Sequence, residues 1–308
     1  MKVLILGDYE NVHSSSSAAL RLTEKGWEVQ AITEPVKPAD VPGLASGTDA
    51  IVLVRERTAL PEDIIAQLSH VRLISQTGKG TAHLDREALN QHHIELTTTP
   101  GGSADSVVEL TIGMMIGAAR QFPIHQASFQ EGEWIQTPGI ELHGKQLGIL
   151  GFGAIGKKVA AAAQALGMKV KVWRPTGTDG TESRAGVEAA ALEEVLSTSD
   201  VTSLHMRLTP EWKGFLHRGN LELMKKEAIF VNTSRGAFVD EYALAEMLES
   251  GRLRGAGLDV FIEEPLQKNP FASCQNVLLT PHIGYITTEV LKRFAENALT
   301  NVENYFES

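Results

Sequence analysis

The chain has 308 residues, with 28 Lys and Arg against 38 Asp and Glu and a formal charge of −10 at pH 7. That length exceeds what one hydrophobic core usually spans, so two domains are expected, and the acidic balance argues against nucleic acid as a partner. No apolar run is long enough to span a bilayer, and the single cysteine, Cys274, allows no internal disulfide and reads as a packing residue rather than a nucleophile.

The first residues, Met1-Lys2-Val3-Leu4-Ile5-Leu6-Gly7, form too short an apolar run for a secretory leader. They read as a buried strand, and a cytoplasmic location is expected. Strands follow at 29–32, 50–54 and 73–76, with helices at 16–25, stopped by Gly26, and at 61–68. This βαβ rhythm predicts a parallel sheet covered by helices on both faces. The rhythm weakens at Thr97-Thr98-Thr99-Pro100-Gly101-Gly102, which reads as a hinge. A long helix is expected over 103–121, apolar nearly all round and therefore buried between domains or subunits. Its Met114 and Met115 read as packing residues. A second βα series carries six expected strands, at 147–150, 169–173, 201–205, 228–232, 255–260 and 277–279, the number in a full dinucleotide-binding sheet. A last helix over 289–306 could return to the first domain.

Residues 147–156 read Leu-Gly-Ile-Leu-Gly-Phe-Gly-Ala-Ile-Gly. Gly151, Gly153 and Gly156 match G-x-G-x-x-G, closing an apolar strand and opening a helix, which is the context that gives the motif its meaning. Gly151 permits the tight turn, Gly153 lets a pyrophosphate approach the backbone, and Gly156 lets the helix lie close to the strand. The helix has no Ser, Thr, Asp or Asn at its start, so its first N–H groups are available to an anion. The next strand ends at Trp173-Arg174-Pro175. An acidic residue there usually bonds the adenosine ribose, whereas Arg174 suits a 2′-phosphate. NADP is therefore the expected cofactor; an Arg174 turned to solvent would admit NAD as well.

Three later segments each place a charged or titratable residue just after an expected strand, where α/β sheets bind ligands. Arg235 follows Asn232-Thr233-Ser234, Glu264 lies in Asp259-Val260-Phe261-Ile262-Glu263-Glu264-Pro265, and His282 in Thr280-Pro281-His282-Ile283-Gly284. A guanidinium fork matches a carboxylate and can polarise an adjacent carbonyl. An imidazole can give a proton to a developing alkoxide or take it back, and a carboxylate on its other nitrogen fixes its orientation. No metal is called for.

Together with Gly78-Lys79-Gly80, His83-Leu84-Asp85, Val108-Glu109-Leu110 and Gly144-Lys145, these segments make the chain resemble the D-isomer-specific 2-hydroxyacid dehydrogenase family. The resemblance is strongest from about residue 75 to 284. It implies an α/β fold of two Rossmann-like domains with a cleft between them. One is a flavodoxin-like substrate domain, 1–99 and 285–308; the other is an NAD(P)-binding doubly wound parallel sheet, 100–284. It also implies that Arg235 binds the substrate carboxylate and keto oxygen, and that His282 is the acid/base paired with Glu264. Ala154, Ile155, Thr233, Ser234 and Asp259 would contact the cofactor, and Arg55, Gly78 and Lys79 the substrate. The partner would be a small 2-keto or 2-hydroxy acid, and the assembly a homodimer. Departures from the family pattern are Arg174, Arg207 where proline is usual, and Ile262 at a commonly acidic position. Arg55 and Arg57 permit a phosphate-bearing substrate, as in a 3-phosphoglycerate dehydrogenase, or are surface charges. No long regulatory extension for serine feedback is expected. A nicotinamide-sensing binding protein on the same fold is the non-catalytic alternative.

Overall fold

A computed structural model of the chain describes residues 1–100, 102–177, 182 and 185–307. The chain divides into two compact units, Met1–Ser103 with Ile286–Ser308, and Ala104–Tyr285.

The first unit runs β1 (Lys2–Leu6), α1 (Ser17–Glu24), β2 (Glu28–Ile32), α2 (Val41–Leu44), β3 (Ala50–Leu53), α3 (Glu62–Ile65), β4 (Leu73–Gln76), α4 (Arg86–Gln91) and β5 (Glu95–Thr98). All pairings are parallel, in the order β2-β1-β3-β4-β5, the flavodoxin order. Strands buried on both faces read as continuous apolar runs, as Val3–Leu6 does. On one face Val3, Ile5 and Val52 pack with Leu22 of α1 and with Ala298, Leu299 and Val302 of the last helix, Thr288–Glu307. On the other, Leu4, Ile51 and Ile74 pack with Val41, Ile65 and Leu89. The last helix buries one stripe, Val290, Leu291, Phe294, Ala295, Ala298, Leu299 and Val302, at helical spacing. Strand β5 takes in the start of the expected hinge: Thr97 and Thr98 belong to an edge strand, only partly covered, whose polar sequence hides it from a hydrophobicity reading. Gly101 of that segment lies outside the described residues.

The second unit runs α5 (Ala104–Ala119), α6 (Phe122–Gln130), β6 (Gln146–Leu150), α7 (Ala154–Ala165), β7 (Lys169–Trp173), β8 (Glu188–Ala189), α8 (Leu192–Thr198), β9 (Val201–Leu204), α9 (Arg218–Glu222), β10 (Ile229–Asn232), α10 (Glu241–Glu249), β11 (Gly255–Leu258) and β12 (Val277–Leu279). The parallel sheet has the order β12-β11-β10-β9-β6-β7-β8, the doubly wound dinucleotide-binding order with one strand added. Among the described residues seven strands replace the six expected, because β8 is two exposed residues pairing with β7 and carries no apolar signal. The expected helix over 103–121 ends at Ala119. Gln121 takes a left-handed conformation (φ 54°), and Pro123 starts a new helix in its first turn. Met114, Met115, Ala118 and Ala119 of α5 are buried in the core, whereas Val108, Leu110, Ile112 and Ile116 are only partly covered. Among the described residues, no helix is long and apolar enough to cross a membrane.

Candidate active site

In the second unit the order of strands reverses between β6 and β9, and the glycine turn follows β6 at that point. Gly151 has φ +95°, and a Cβ there would stand 2.5 Å from the His205 carbonyl oxygen, so only glycine fits. A Cβ on Gly156 would collide with Gly151 O, which is why helix α7 can close on the strand. At Gly153 nothing stands within 4 Å of a Cβ, and Gly153 caps α7 with no side-chain hydrogen bond. The first N–H groups of α7, those of Ala154 and Ile155 among them, thus receive no side-chain cap. This is a cradle for an anionic group such as a pyrophosphate. His205 closes the turn from behind. Its Nε2 lies 2.8 Å from Ser203 Oγ, and burial lowers its pKa to about 4, so it adds no charge at neutral pH.

Past the next strand, Arg174 Nη1 donates to Glu182 Oε1 at 2.9 Å. Glu182 is 1% exposed, so the guanidinium is tethered to a buried carboxylate at the end of β7. Sequence reading had no means of finding this partner, since a glutamate in a connecting segment carries no signal of its own.

The titratable residues come together beyond β10, β11 and β12. His282 Nδ1–H donates to Glu264 Oε2 at 2.6 Å, leaving Nε2 for exchange with a ligand. Burial pushes the Glu264 carboxyl up. The hydrogen bond from His282, the Phe261 N–H to Oε1 at 2.8 Å and the charges of His282 and Arg235 outweigh it, holding Glu264 below the usual carboxylate range. Arg235 is exposed and extended, and its Nη1 donates to Ser234 O at 2.7 Å. Its charge reaches Glu264, so all three predicted residues share one neighbourhood.

Buried polar groups hold these turns. Asn232 accepts Ser234 N–H at 2.9 Å and donates to Arg235 O at 2.9 Å, shaping the turn that presents Arg235. Thr111 Oγ1 donates to Val107 O, so the 2.8 Å contact between the hydroxyls of Thr111 and Thr233 has Thr233 as donor. Ser234 Oγ donates to Met206 O at 2.6 Å. Asp259, 1% exposed, accepts from Thr280 Oγ1 at 2.5 Å, Ile283 N at 2.8 Å and Gly284 N at 2.8 Å. It therefore grips the turn on both sides of His282, whose φ of 56° needs such support. Glu241, 8% exposed, accepts Ile262 N–H at 2.8 Å and so fixes the segment that carries Glu264. Gly236 lies against bare backbone: a Cβ there would overlap Phe261 and Ile262. Sequence reading gave no role to Asn232, Glu241 or Thr280, because a residue that acts through a backbone group or another side chain leaves no spacing pattern.

In the first unit Arg55 follows β3 with φ 58°, and its N–H donates to Thr77 Oγ1 at 2.7 Å. Gly78 has φ +79°, and its N–H donates to Thr99 Oγ1 at 2.7 Å. The Arg55 guanidinium covers Gly78, where a Cβ would collide with it. Lys79 is exposed. The structure thus brings Arg55 and Gly78 into contact.

A family model described as D-isomer specific 2-hydroxyacid dehydrogenase, NAD binding domain, matches residues 112–284. The chain is 37% identical over 285 residues to a D-3-phosphoglycerate dehydrogenase of Methanocaldococcus jannaschii, covering 89% of this chain and 52% of that protein. It is 36% identical over 280 residues to a hydroxypyruvate reductase of Thermotoga maritima, covering 89% and 90%. The crystal structure of a phosphoglycerate oxidoreductase from Vibrio cholerae O395 matches with a TM-score of 0.90 at 32% identity, over 100% of this chain and 99% of that one. The chain spans about half the length, 52%, of the Methanocaldococcus protein. With a family match over more than half its length, this chain belongs to the D-isomer-specific 2-hydroxyacid dehydrogenase family.

Proposed function

We propose that the chain is an NAD(P)-dependent oxidoreductase that interconverts a small 2-keto acid and the D-2-hydroxy acid. The observation that carries this reading is the 2.6 Å pair of His282 Nδ1 with Glu264 Oε2, within reach of the charge of Arg235. When bound, the nicotinamide supplies or accepts the hydride. His282 Nε2 gives a proton to the oxygen that becomes the hydroxyl, and takes it back in the oxidative direction. Glu264 orients the imidazole through the bond to Nδ1. Arg235 binds the substrate carboxylate and polarises the keto oxygen. Gly151, Gly153, Gly156, Ala154 and Ile155 hold the cofactor phosphates. The backbone at Thr233 and Ser234 and the Asp259 carboxylate face its nicotinamide end. Arg55, Gly78 and Lys79 contribute the substrate contacts of the first unit.

NADP is the cofactor we assign. Arg174 stands where an acid would select the ribose hydroxyls. The relatives' names put two substrates forward, 3-phosphoglycerate and hydroxypyruvate. The test is oxidation of NADPH and NADH with glyoxylate, hydroxypyruvate, pyruvate, phenylpyruvate and 3-phosphohydroxypyruvate. Turnover with NADPH ahead of NADH, falling about a thousandfold in His282→Ala, is expected. Cofactor binding with no turnover of any acid would overturn the enzyme reading in favour of a nicotinamide sensor. NADH ahead of NADPH would overturn the role of Arg174.

The partner in assembly is a second copy. Phe122, Phe129, Trp134 and Ile135 are 51%, 62%, 77% and 46% exposed in one stretch, and the Phe129 and Trp134 rings meet at 5.4 Å. Aromatic groups left this open mark an association surface. Sedimentation should give a dimer that Trp134→Asp dissociates; a monomeric wild type would refute it.

A further inference from the structure

In the first sheet the strand order reverses between β1 and β3, so its ligand crevice opens where Gly7 and the segment Arg55–Thr58 emerge. Two arginines there would suit a substrate that carries a phosphate. Each already faces a carboxylate of its own.

Arg57 makes a bidentate pair with Glu10, Nη1 to Oε2 at 2.7 Å and Nη2 to Oε1 at 2.6 Å. Nη1 also donates to Gly7 O at 2.5 Å, and the guanidinium lies 4.5 Å from the Tyr9 ring centroid. The side chain is 11% exposed. A planar fork engaged along one edge by a carboxylate has lost the edge that a phosphate would use.

Arg55 Nη2 lies 3.5 Å from Glu56 Oε2, with the arginine side chain 14% exposed. The other oxygen of Glu56 sits against Gly80, where a Cβ would collide with it. Glu56 is thus placed over the Gly78–Gly80 loop beside the arginine that covers Gly78. His83, at the end of that loop, adds no positive charge. Both its ring nitrogens are shielded from solvent without a hydrogen-bond partner among the described residues. Burial lowers its pKa, with Glu56 pulling up and Arg55 down. Lys79 remains, exposed, as the cation of the loop. A single such charge suits the one carboxylate that every 2-keto acid carries.

We propose that this corner selects 2-keto acids whose distal group is uncharged, such as hydrogen, methyl or hydroxymethyl, and rejects those ending in phosphate. Glu56 is the residue that sets the choice. Its carboxylate stands beside the guanidinium that would otherwise meet the phosphate, and juxtaposed like charges repel. The inference rests on the 2-keto acid reading above and on Arg55, Gly78 and Lys79 lining the substrate pocket.

The experiment is kcat/KM for glyoxylate, hydroxypyruvate and 3-phosphohydroxypyruvate with wild type and Glu56→Gln, at low and raised salt. Wild type should disfavour 3-phosphohydroxypyruvate against hydroxypyruvate by about a hundredfold. In Glu56→Gln the ratio of the two should shift towards the phosphate ester by about tenfold, less at high salt. A wild type that prefers 3-phosphohydroxypyruvate overturns the inference and leaves the 2-keto acid reading intact. So does a ratio unmoved by Glu56→Gln in a protein of unchanged Tm. If Glu56→Gln fails to fold, the wild-type preference decides. No reduction of any acid refutes the 2-keto acid reading, and the inference falls with it.

Discussion

In both units the first strand runs into a glycine of positive φ, Gly7 at +84° after β1 and Gly151 at +95° after β6. Beyond that point the chain treats the two turns differently. In the first unit the Asp8 carboxylate accepts the N–H groups of Val12 (2.9 Å), His13 (3.0 Å) and Ser14 (3.2 Å) and pairs with His13 Nδ1 at 2.9 Å. Ser16 then caps helix α1 through its side chain, and Arg57 packs on Gly7, 3.1 Å from where a Cβ would stand. In the second unit, among the described residues, no carboxylate is seen accepting the turn's N–H groups, α7 has no side-chain cap, and nothing stands within 4 Å of a Cβ on Gly153. A βα turn binds a ligand when the protein leaves its N–H groups unanswered; the same turn is a structural brace when a side-chain carboxylate answers them.

The comparison can be broken by exchanging these properties. Gly153 has ordinary backbone (φ −80°) and free space, so Gly153→Val should fold with an unchanged Tm. It should weaken NADPH binding by about 2 kcal/mol, the usual size of an overpacking penalty. A calorimetric titration reads the affinity, and a loss of Tm instead would make this turn structural too.

At the other turn the expected loss is in stability. Burial pushes the Asp8 carboxyl up, yet the bonds from His13 and Ser14 win and lower it from 3.8 to about 2. A carboxyl with a depressed folded-state pKa stabilises the fold above its unfolded value and loses that contribution as pH falls through the folded one. Asp8→Asn should therefore cost about 2 kcal/mol at pH 7, with cofactor affinity unchanged. The gap between variant and wild type should close as denaturation is repeated from about pH 4 down to about pH 2. A gap that stays constant over that window would contradict the assignment.

Glu241 offers a smaller contrast within the second unit. It is also a buried carboxylate that accepts a backbone N–H, from Ile262, but burial and the nearby charge of Glu264 raise its pKa. Glu241→Gln keeps an acceptor for Ile262 and removes a negative charge near Glu264. Stability should change by less than about 1 kcal/mol, as expected for a retained hydrogen bond. The acid limb of the kcat/KM profile should move to lower pH, because a carboxylate without a like-charged neighbour titrates lower. An unmoved limb would reduce Glu241 to a structural brace.

The glycine turn and the strand-end residues Arg235, Glu264 and His282 were legible because each depends on local order: an apolar strand, then the residue, then a turn. The central strands were legible for the same reason. Edge strands β5 and β8 were not, since Glu95-Leu96-Thr97-Thr98 and Glu188-Ala189 lack the continuous apolar run of a covered strand. The break between α5 and α6 turned on Gln121 adopting φ 54°, which composition does not announce. Least visible were the partners that give a charge its meaning. Arg57 and Glu10 stand 47 positions apart, and until they meet Arg57 reads equally as a phosphate ligand or a surface charge.

Gly236 has a practical consequence for altering this protein. Because Phe261 and Ile262 stand where its side chain would be, the segments bearing Arg235 and Glu264 meet main chain to main chain at this point. In a recombination library the two segments should be inherited as one cassette. Parents that differ in the spacing of either should give inactive progeny whatever pocket they bring, and codon 236 should return only glycine among the survivors.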